Sequence, residues 1–213
     1  MFCSNCGKKI DPVIVVDIDG TLGDYHSHFT WFAEQYLGQP LGHNYRGDVE
    51  FSKYLEIPKD VYRDIKLAYR QGGMKRVMPL FTGASGFMRT LKAMGLEIWI
   101  ATTRPYLRLD NIDPDTRHWL DRHFIPYDGM VYGDKDDKYK QVLSAVDRDR
   151  VIGVIDDLFD QCYMAKNGYA FLTIQKGTQY NEGNQFELRI NNYSGIVNII
   201  NQSVTSWRQE HDN

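Results

Sequence analysis

Cysteine is scarce in this chain: Cys3, Cys6 and Cys162 are the only three among 213 residues. Three cysteines cannot build a disulfide framework, and no secretory segment precedes them, so a reducing cytoplasm is the expected location. The opening stretch MFCSNCGKKI lacks the apolar centre of a signal peptide, and no apolar run approaches membrane-spanning length. Charge of one sign is lacking too. A formal net charge of -3 and a pI near 6.1 exclude a broad basic footprint for gripping nucleic acid non-specifically. A small anionic ligand stays open, because a few local cations can dominate one pocket. No internal repeat, low-complexity tract or GxxxxGKS/T loop occurs, which excludes solenoid and P-loop readings. What is present is a mixed sequence, 42% hydrophobic and 25% charged, long enough for one sizeable core with or without a small accessory module.

Short apolar, β-branched runs recur at Val13–Asp17, Glu97–Thr103, Gly129–Gly133, Val151–Asp157 and Ala170–Gln175. None alternates cleanly with polar residues, as suits strands buried on both faces of a parallel sheet. Helical patterns lie between them: Gly83–Gly95, Asp115–Phe124, Lys138–Val146, and Leu158–Asn167 with a stop at Gly168. The alternation predicts a doubly wound α/β fold, a Rossmann-like three-layer core around a central parallel sheet. Ligands of such folds bind beyond the carboxyl ends of the strands. Three candidate strands place polar residues there: Asp17/Asp19, Thr102/Thr103 and Asp156/Asp157.

Residues 24–80 break the alternation. This stretch is rich in aromatics, with helical spacing at Phe29, Phe32 and Tyr36 and again over Val61–Tyr69. It reads as an inserted helical cap, which leaves 13–23 and 81–213 as the core and 1–12 as an N-terminal CxxC segment. In the tail, 176–213, Phe186–Ile190 reads as an edge strand and Ile196–Trp207 as a helix, and no chemistry is assigned to either.

The segment VIVVDIDGTL carries the chemistry. Its strand delivers Asp17 to an end where Gly20 lets the chain turn, so Asp17 and Asp19 share one crevice. Paired carboxylates repel and call for a cation, for which Mg²⁺ with oxygen ligands is the natural choice. A carboxylate held on a metal can attack phosphorus, and its neighbour can move the proton.

DIDGTL resembles the first signature, DxDGT, of haloacid dehalogenase-like phosphatases, and the resemblance covers all four motifs of that superfamily over residues 13–175. It implies a Rossmann-like core, Mg²⁺ and an aspartyl-phosphate intermediate. Asp17 would be nucleophile and metal ligand. Asp19 would be general acid/base, with its backbone carbonyl on the metal and with Gly20 and Thr21 beside the phosphate. IWIATTRP (98–105) matches the second motif through Thr102, with Thr103 and Arg104 as further phosphate or substrate contacts. DKDDKYKQVL (134–143) offers three candidates for the motif-three lysine, ranked Lys140, Lys138, Lys135. VIGVIDD (151–157) ends in Asp156 and Asp157, which would complete the metal site.

Two branches of the superfamily are similar. The cap between the first motif and PLFTGASGFM (79–88) resembles 5'(3')-deoxyribonucleotidases. DTRHWL (115–120), IPYD (125–128) and DDKYK (136–140) resemble the 3'-phosphatase module of polynucleotide kinase-type enzymes. The cap and the acidic pI favour a small phosphorylated substrate, a nucleotide, over a nucleic-acid end. Tyr25, Phe29 and Trp31 near the cap hinge are candidates to stack on a base; His26 and His28 are not assigned to a metal. CysSerAsnCysGlyLys (3–8) is half of a zinc ribbon, and structural Zn²⁺ takes four ligands. Cys3 and Cys6 therefore clasp zinc across a homodimer, borrow a histidine within a monomer, or form a remnant without metal.

Overall fold

The computed structural model describes residues 10–42, 50–134 and 138–211. Cys3, Cys6, Lys135, Asp136 and Asp137 lie outside them, and with them the zinc expectation and the lowest-ranked lysine.

Six strands form one all-parallel sheet in the order β3-β2-β1-β4-β5-β6. In chain order they are β1 (Val13–Val16), β2 (Glu97–Thr102), β3 (Gly129–Tyr132), β4 (Val151–Asp156), β5 (Thr173–Lys176) and β6 (Arg189–Ile190). The first four helices, α1 (Tyr25–Leu37), α2 (Phe51–Tyr54), α3 (Lys59–Gln71) and α4 (Met74–Val77), all fall between β1 and α5 (Ala84–Ala93). Then α6 (Ile112–Arg122), α7 (Lys138–Leu143) and α8 (Phe159–Tyr169) alternate with the strands, and α9 (Tyr193–His211) closes the chain.

The side-chain period of two along β1 explains the three layers. Ile14 and Val16 face one apolar cluster with Phe87, Met88 and Leu91 of α5, Trp119 and Leu120 of α6, and Ile196, Ile200 and Val204 of α9. Val13 and Val15 face the other, with Tyr139 and Val142 of α7 and Ala165 of α8. Helices α1 to α3 close a third cluster of their own around Phe29, Phe51, Leu55, Ile65 and Tyr69. Asp24 starts α1 by accepting the Ser27 backbone N–H, and Gly38 ends it in the left-handed conformation.

Several element boundaries differ from the periodicity. Helix α6 begins at Ile112, three residues early, because Pro114 falls in the first turn, where a missing N–H costs nothing. Gly168 does not stop α8. Instead Ala170 takes the left-handed conformation, φ 56°, its N–H bonds to the Lys166 carbonyl, and Phe171 is driven into the cluster beneath. That diversion delays β5 to Thr173. The edge strand of the tail is only two residues long and pairs parallel to β5.

The chain runs from β1 outward to β3, then crosses back to place β4 on the other side of β1. The sheet thus reverses direction between β1 and β4, where α/β proteins form a crevice at the carboxyl ends of their strands. Asp17 follows β1 there, and Asp156 ends β4.

Candidate active site

Asp17, Asp156 and Asp157 are all buried, and each offers an oxygen within 4.8 Å of the others. The register puts them together: Val16 pairs with Ile155, and the Asp17 N–H bonds to the Ile155 carbonyl at 3.0 Å. Lys138, 1% exposed, places Nζ 2.8 Å from Asp17 Oδ1 and 2.5 Å from Asp156 Oδ2. One ammonium among three buried carboxylates leaves the cluster short of positive charge. Burial, with help from Asp156 and against the pull of Lys138, pushes the Asp17 carboxyl up to about 7. Burial and the two neighbouring aspartates raise Asp157 well above the ordinary range. Burial disfavours the Lys138 ammonium, but Asp156 and Asp17 outweigh it and raise its pKa.

The two acids of β4 have different surroundings. Asp156 Oδ1 accepts the Leu158 backbone N–H at 3.0 Å and Oδ2 accepts the Tyr139 hydroxyl at 3.0 Å, so this residue also supports the turn into α8. Both carboxylate oxygens of Asp157 are buried without a hydrogen-bond partner in the structure. They face Gly20, where a Cβ would sit 2.1 Å from Oδ2 and φ is +92°. Glycine is required there on both counts. A buried carboxylate with two orphaned oxygens beside two more carboxylates is a donor set suited to a hard divalent cation. The residues fit Mg²⁺.

Strand β5 and the tail after it, to which no chemistry was assigned from sequence, together secure this acid. Gln175 Nε2 and Asn181 Nδ2 donate to the Asp157 carbonyl at 3.1 and 2.7 Å. Tyr180 from the same loop stacks on His26, with ring centroids 3.7 Å apart, and packs against Phe51 and Tyr54 of α2.

Asp19 stands apart from the three-acid cluster. Its carboxylate is held by Arg104, with Nη2 to Oδ1 at 2.6 Å, and by a short contact to Lys75 Nζ. Burial opposes its ionisation, but Arg104 and Lys75 outweigh it and hold the carboxyl well below the usual range. Arg104 is fixed in turn by Thr116 at 3.0 Å. Lys75 belongs to α4, is 4% exposed and lies over the Tyr25 ring at 3.7 Å. Burial, only partly offset by Asp19, lowers its pKa to about 7. Nothing in the sequence marks Lys75: it stands in MKRV with no motif around it, fifty-six positions from Asp19.

Several candidates are placed differently from the sequence reading. Lys140 is exposed on α7 and touches neither Asp17 nor Asp156, so the ranking of Lys140 over Lys138 is reversed. Two residues along a helix is about 200° of rotation, which puts the two lysines on nearly opposite faces. The Thr102 hydroxyl is buried and accepts the Arg104 backbone N–H at 3.3 Å; Thr103 and Arg104 reach the cavity wall. Thr21 is fully buried and does not line the cavity. Phe29 is buried inside the helical cluster, and Trp31 stacks on His28 beside a second cavity. Tyr25 does line the site, joined by His26, Phe51, Tyr62 and Tyr180. The cavity over Asp17 measures about 500 Å³.

A crevice at the β1/β4 switch point, with three clustered buried acids held by Lys138, defines a Rossmann-like α/β protein of the haloacid dehalogenase-like fold. Solved structures agree. The chain superposes on a predicted phosphatase from Clostridium acetobutylicum with a TM-score of 0.63 and 14% identity, over 91% of this chain and 100% of that one. A haloacid dehalogenase-like family hydrolase from Streptococcus pneumoniae gives 0.62 and 15%, over 89% and 98%. CbbY from Rhodobacter sphaeroides, in complex with phosphate, gives 0.57 and 17%, over 88% and 96%. No family model and no curated protein sequence matches the chain. Among the described residues, no helix is long and apolar enough to cross a membrane.

Proposed function

We propose that this protein is a Mg²⁺-dependent phosphomonoesterase acting through an aspartyl-phosphate on Asp17. The observation that carries the reading is the buried Asp17–Asp156–Asp157 cluster with Lys138 on one side and the two orphaned Asp157 oxygens on the other. The carboxylates of Asp17, Asp156 and Asp157 would hold the ion, with the Asp19 backbone carbonyl as the resemblance implies. Bound there, Mg²⁺ offsets negative charge on the transferring phosphoryl group.

The chain's own residues account for the remaining steps. An Asp17 oxygen attacks phosphorus, the ester P–O bond breaks, and the leaving oxygen takes a proton from the Asp19 carboxyl. Water then attacks the phosphorus of the aspartyl-phosphate and gives its proton to Asp19, the bond to the Asp17 oxygen breaks, and inorganic phosphate leaves. Lys138 orients Asp17 and favours its anionic form against the burial that raises its pKa. Asp19, ionised between Arg104 and Lys75, is set for the base half of the cycle. For the acid half it must first gain a proton, which loosening of either cationic contact favours. Helices α1 to α4 then act as a cap, because α4 supplies Lys75 and α1 to α3 wall the cavity.

The substrate class is a nucleoside monophosphate. A cavity of about 500 Å³ suits a ligand of that size, and Tyr62, His26 and Tyr180 line it with aromatic surface. The test is phosphate release from nucleoside 5'- and 3'-monophosphates beside a 3'-phosphorylated oligonucleotide, with and without Mg²⁺, in wild type and Asp17→Asn. Turnover that survives in Asp17→Asn rules out the aspartyl-phosphate, and preferential cleavage of the oligonucleotide replaces the nucleotidase reading with end repair. Transfer to added alcohols or nucleosides in place of water would make the protein a phosphotransferase.

A further inference from the structure

The cavity over Asp17 carries more positive charge than its own carboxylates account for. Eight lysine and arginine side chains line it against four carboxylates, in a chain whose formal net charge is -3. Lys138 is bound to Asp17 and Asp156, while Arg104 and Lys75 are bound to Asp19. Lys59 pairs with Glu50 at 3.0 Å. The cavity wall further carries Arg63 and Arg70 on α3, with Lys66 between them, and Arg108 on the segment after β2. No ion pair between described residues involves Arg63, Arg70 or Arg108.

The placement of these cations is ordered. Lys59, Arg63, Lys66 and Arg70 fall at i, i+4, i+7 and i+11, a single face of α3. Ile65 and Tyr69 bury another face in the helical cluster. The acids of this helix, Asp60 and Asp64, are exposed and do not line the cavity. At 1.5 Å per residue the row runs about 16 Å along the axis. Its Arg70 end acts electrostatically on Lys75 and Tyr25, the neighbours of Asp19. Like charges lined up on one wall repel unless something negative lies against them. One phosphoryl group at Asp17 neutralises a single end of such a row.

We propose that the preferred substrate carries, beyond the nucleoside monophosphate unit, a second phosphate, with the scissile group at Asp17 and the second held by Arg63, Arg70 and Arg108. The proposal rests on the phosphatase reading for the position of the first group only. Guanidinium groups suit the task, because each offers a planar fork of donors to phosphate oxygens. The site then selects substrates by the distance between two anions as well as by the scissile group.

The test is calorimetric titration of full-length Asp17→Asn protein, with Mg²⁺, using adenosine 3',5'-bisphosphate, adenosine 5'-monophosphate and a 3'-phosphorylated trinucleotide. The bisphosphate is expected to bind about tenfold or more tighter than the monophosphate, and salt should erode that advantage. Adding Arg63→Gln and Arg70→Gln should shrink the ratio towards one, with melting curves confirming that the variant is folded. Equal affinities in the parent, or a ratio that survives both substitutions, overturns the proposal. A gain for the trinucleotide without one for the bisphosphate also overturns it, since the second anion would then belong to a strand. Phosphate release by wild-type protein reports separately. A bisphosphate preference without turnover sinks the phosphatase reading and leaves the second-anion site standing; turnover without the preference does the reverse.

Discussion

At the carboxyl end of the sheet most charged groups are buried and have partners chosen by the fold: Lys138 with Asp17 and Asp156, Arg104 with Asp19 and Thr116. Along α3 the cations are half-buried or exposed and line the cavity, where Lys59 pairs with Glu50. The first arrangement suits chemistry, where geometry must be fixed before the substrate arrives. The second suits recognition, where the ligand completes the charge balance. Lys75 links the two, since it grows from the helical segment and ends on Asp19.

Substitutions at the carboxyl end of the sheet should therefore cost far more than substitutions on helices α1 to α4. The largest expected effect is Asp17→Asn, which should lower phosphate release at least about a thousandfold. Its stability should hold or improve, because a buried carboxylate disfavoured by its surroundings is removed while Lys138 keeps Asp156. A thermal melt beside a phosphate-release assay checks both halves, and a large loss of stability would show that Asp17 is chiefly structural. Lys138→Met comes next. It strands two buried carboxylates and should destabilise the fold by about 3–5 kcal/mol, measured by urea unfolding. Lys140→Met, on the exposed face of the same helix, should stay within about 0.5 kcal/mol.

Lys75→Met tests the link. Removing this cation raises the pKa of Asp19, so the loss should fall on kcat and shift the pH–rate profile, at about tenfold to a hundredfold. An unchanged profile with a raised KM alone would place Lys75 in substrate binding.

The smallest effect is a pH dependence. Folded Asp17 keeps its proton up to about pH 7, whereas an unfolded aspartate releases it near 3.8, and Asp157 is shifted the same way. Across that window the folded state binds more protons, so stability of the metal-free protein falls as pH rises from about 4 to about 7. Mg²⁺ should accordingly raise the melting temperature more at pH 8 than at pH 5. A metal-free melting temperature that climbs over this range contradicts the buried, metal-poor cluster.

Much of the sheet's carboxyl end was legible because its signals are local. A four-residue β-branched run ending in DIDG needs only strand geometry and a tight turn to place Asp17, and β4 ends in its acids for the same reason. Lys138 was half legible: the segment was right, but the choice between neighbouring lysines turned on where α7 presents its buried face. The row on α3 was visible as letters and silent as a pattern, since charges at helical spacing read as an ordinary solvated face until a cavity is known to lie against them.

By itself the sequence determined a parallel α/β core, the order of its strands' polar ends, and the acids that gather there, because strand burial and turn chemistry act over a few residues. The tertiary structure alone decided that Lys75 reaches Asp19, that the Asn181 loop braces Asp157, and that α3 turns its cations toward Asp17. Those contacts join residues far apart in the chain, and long-range packing, which no local spacing encodes, sets which of many similar side chains meet.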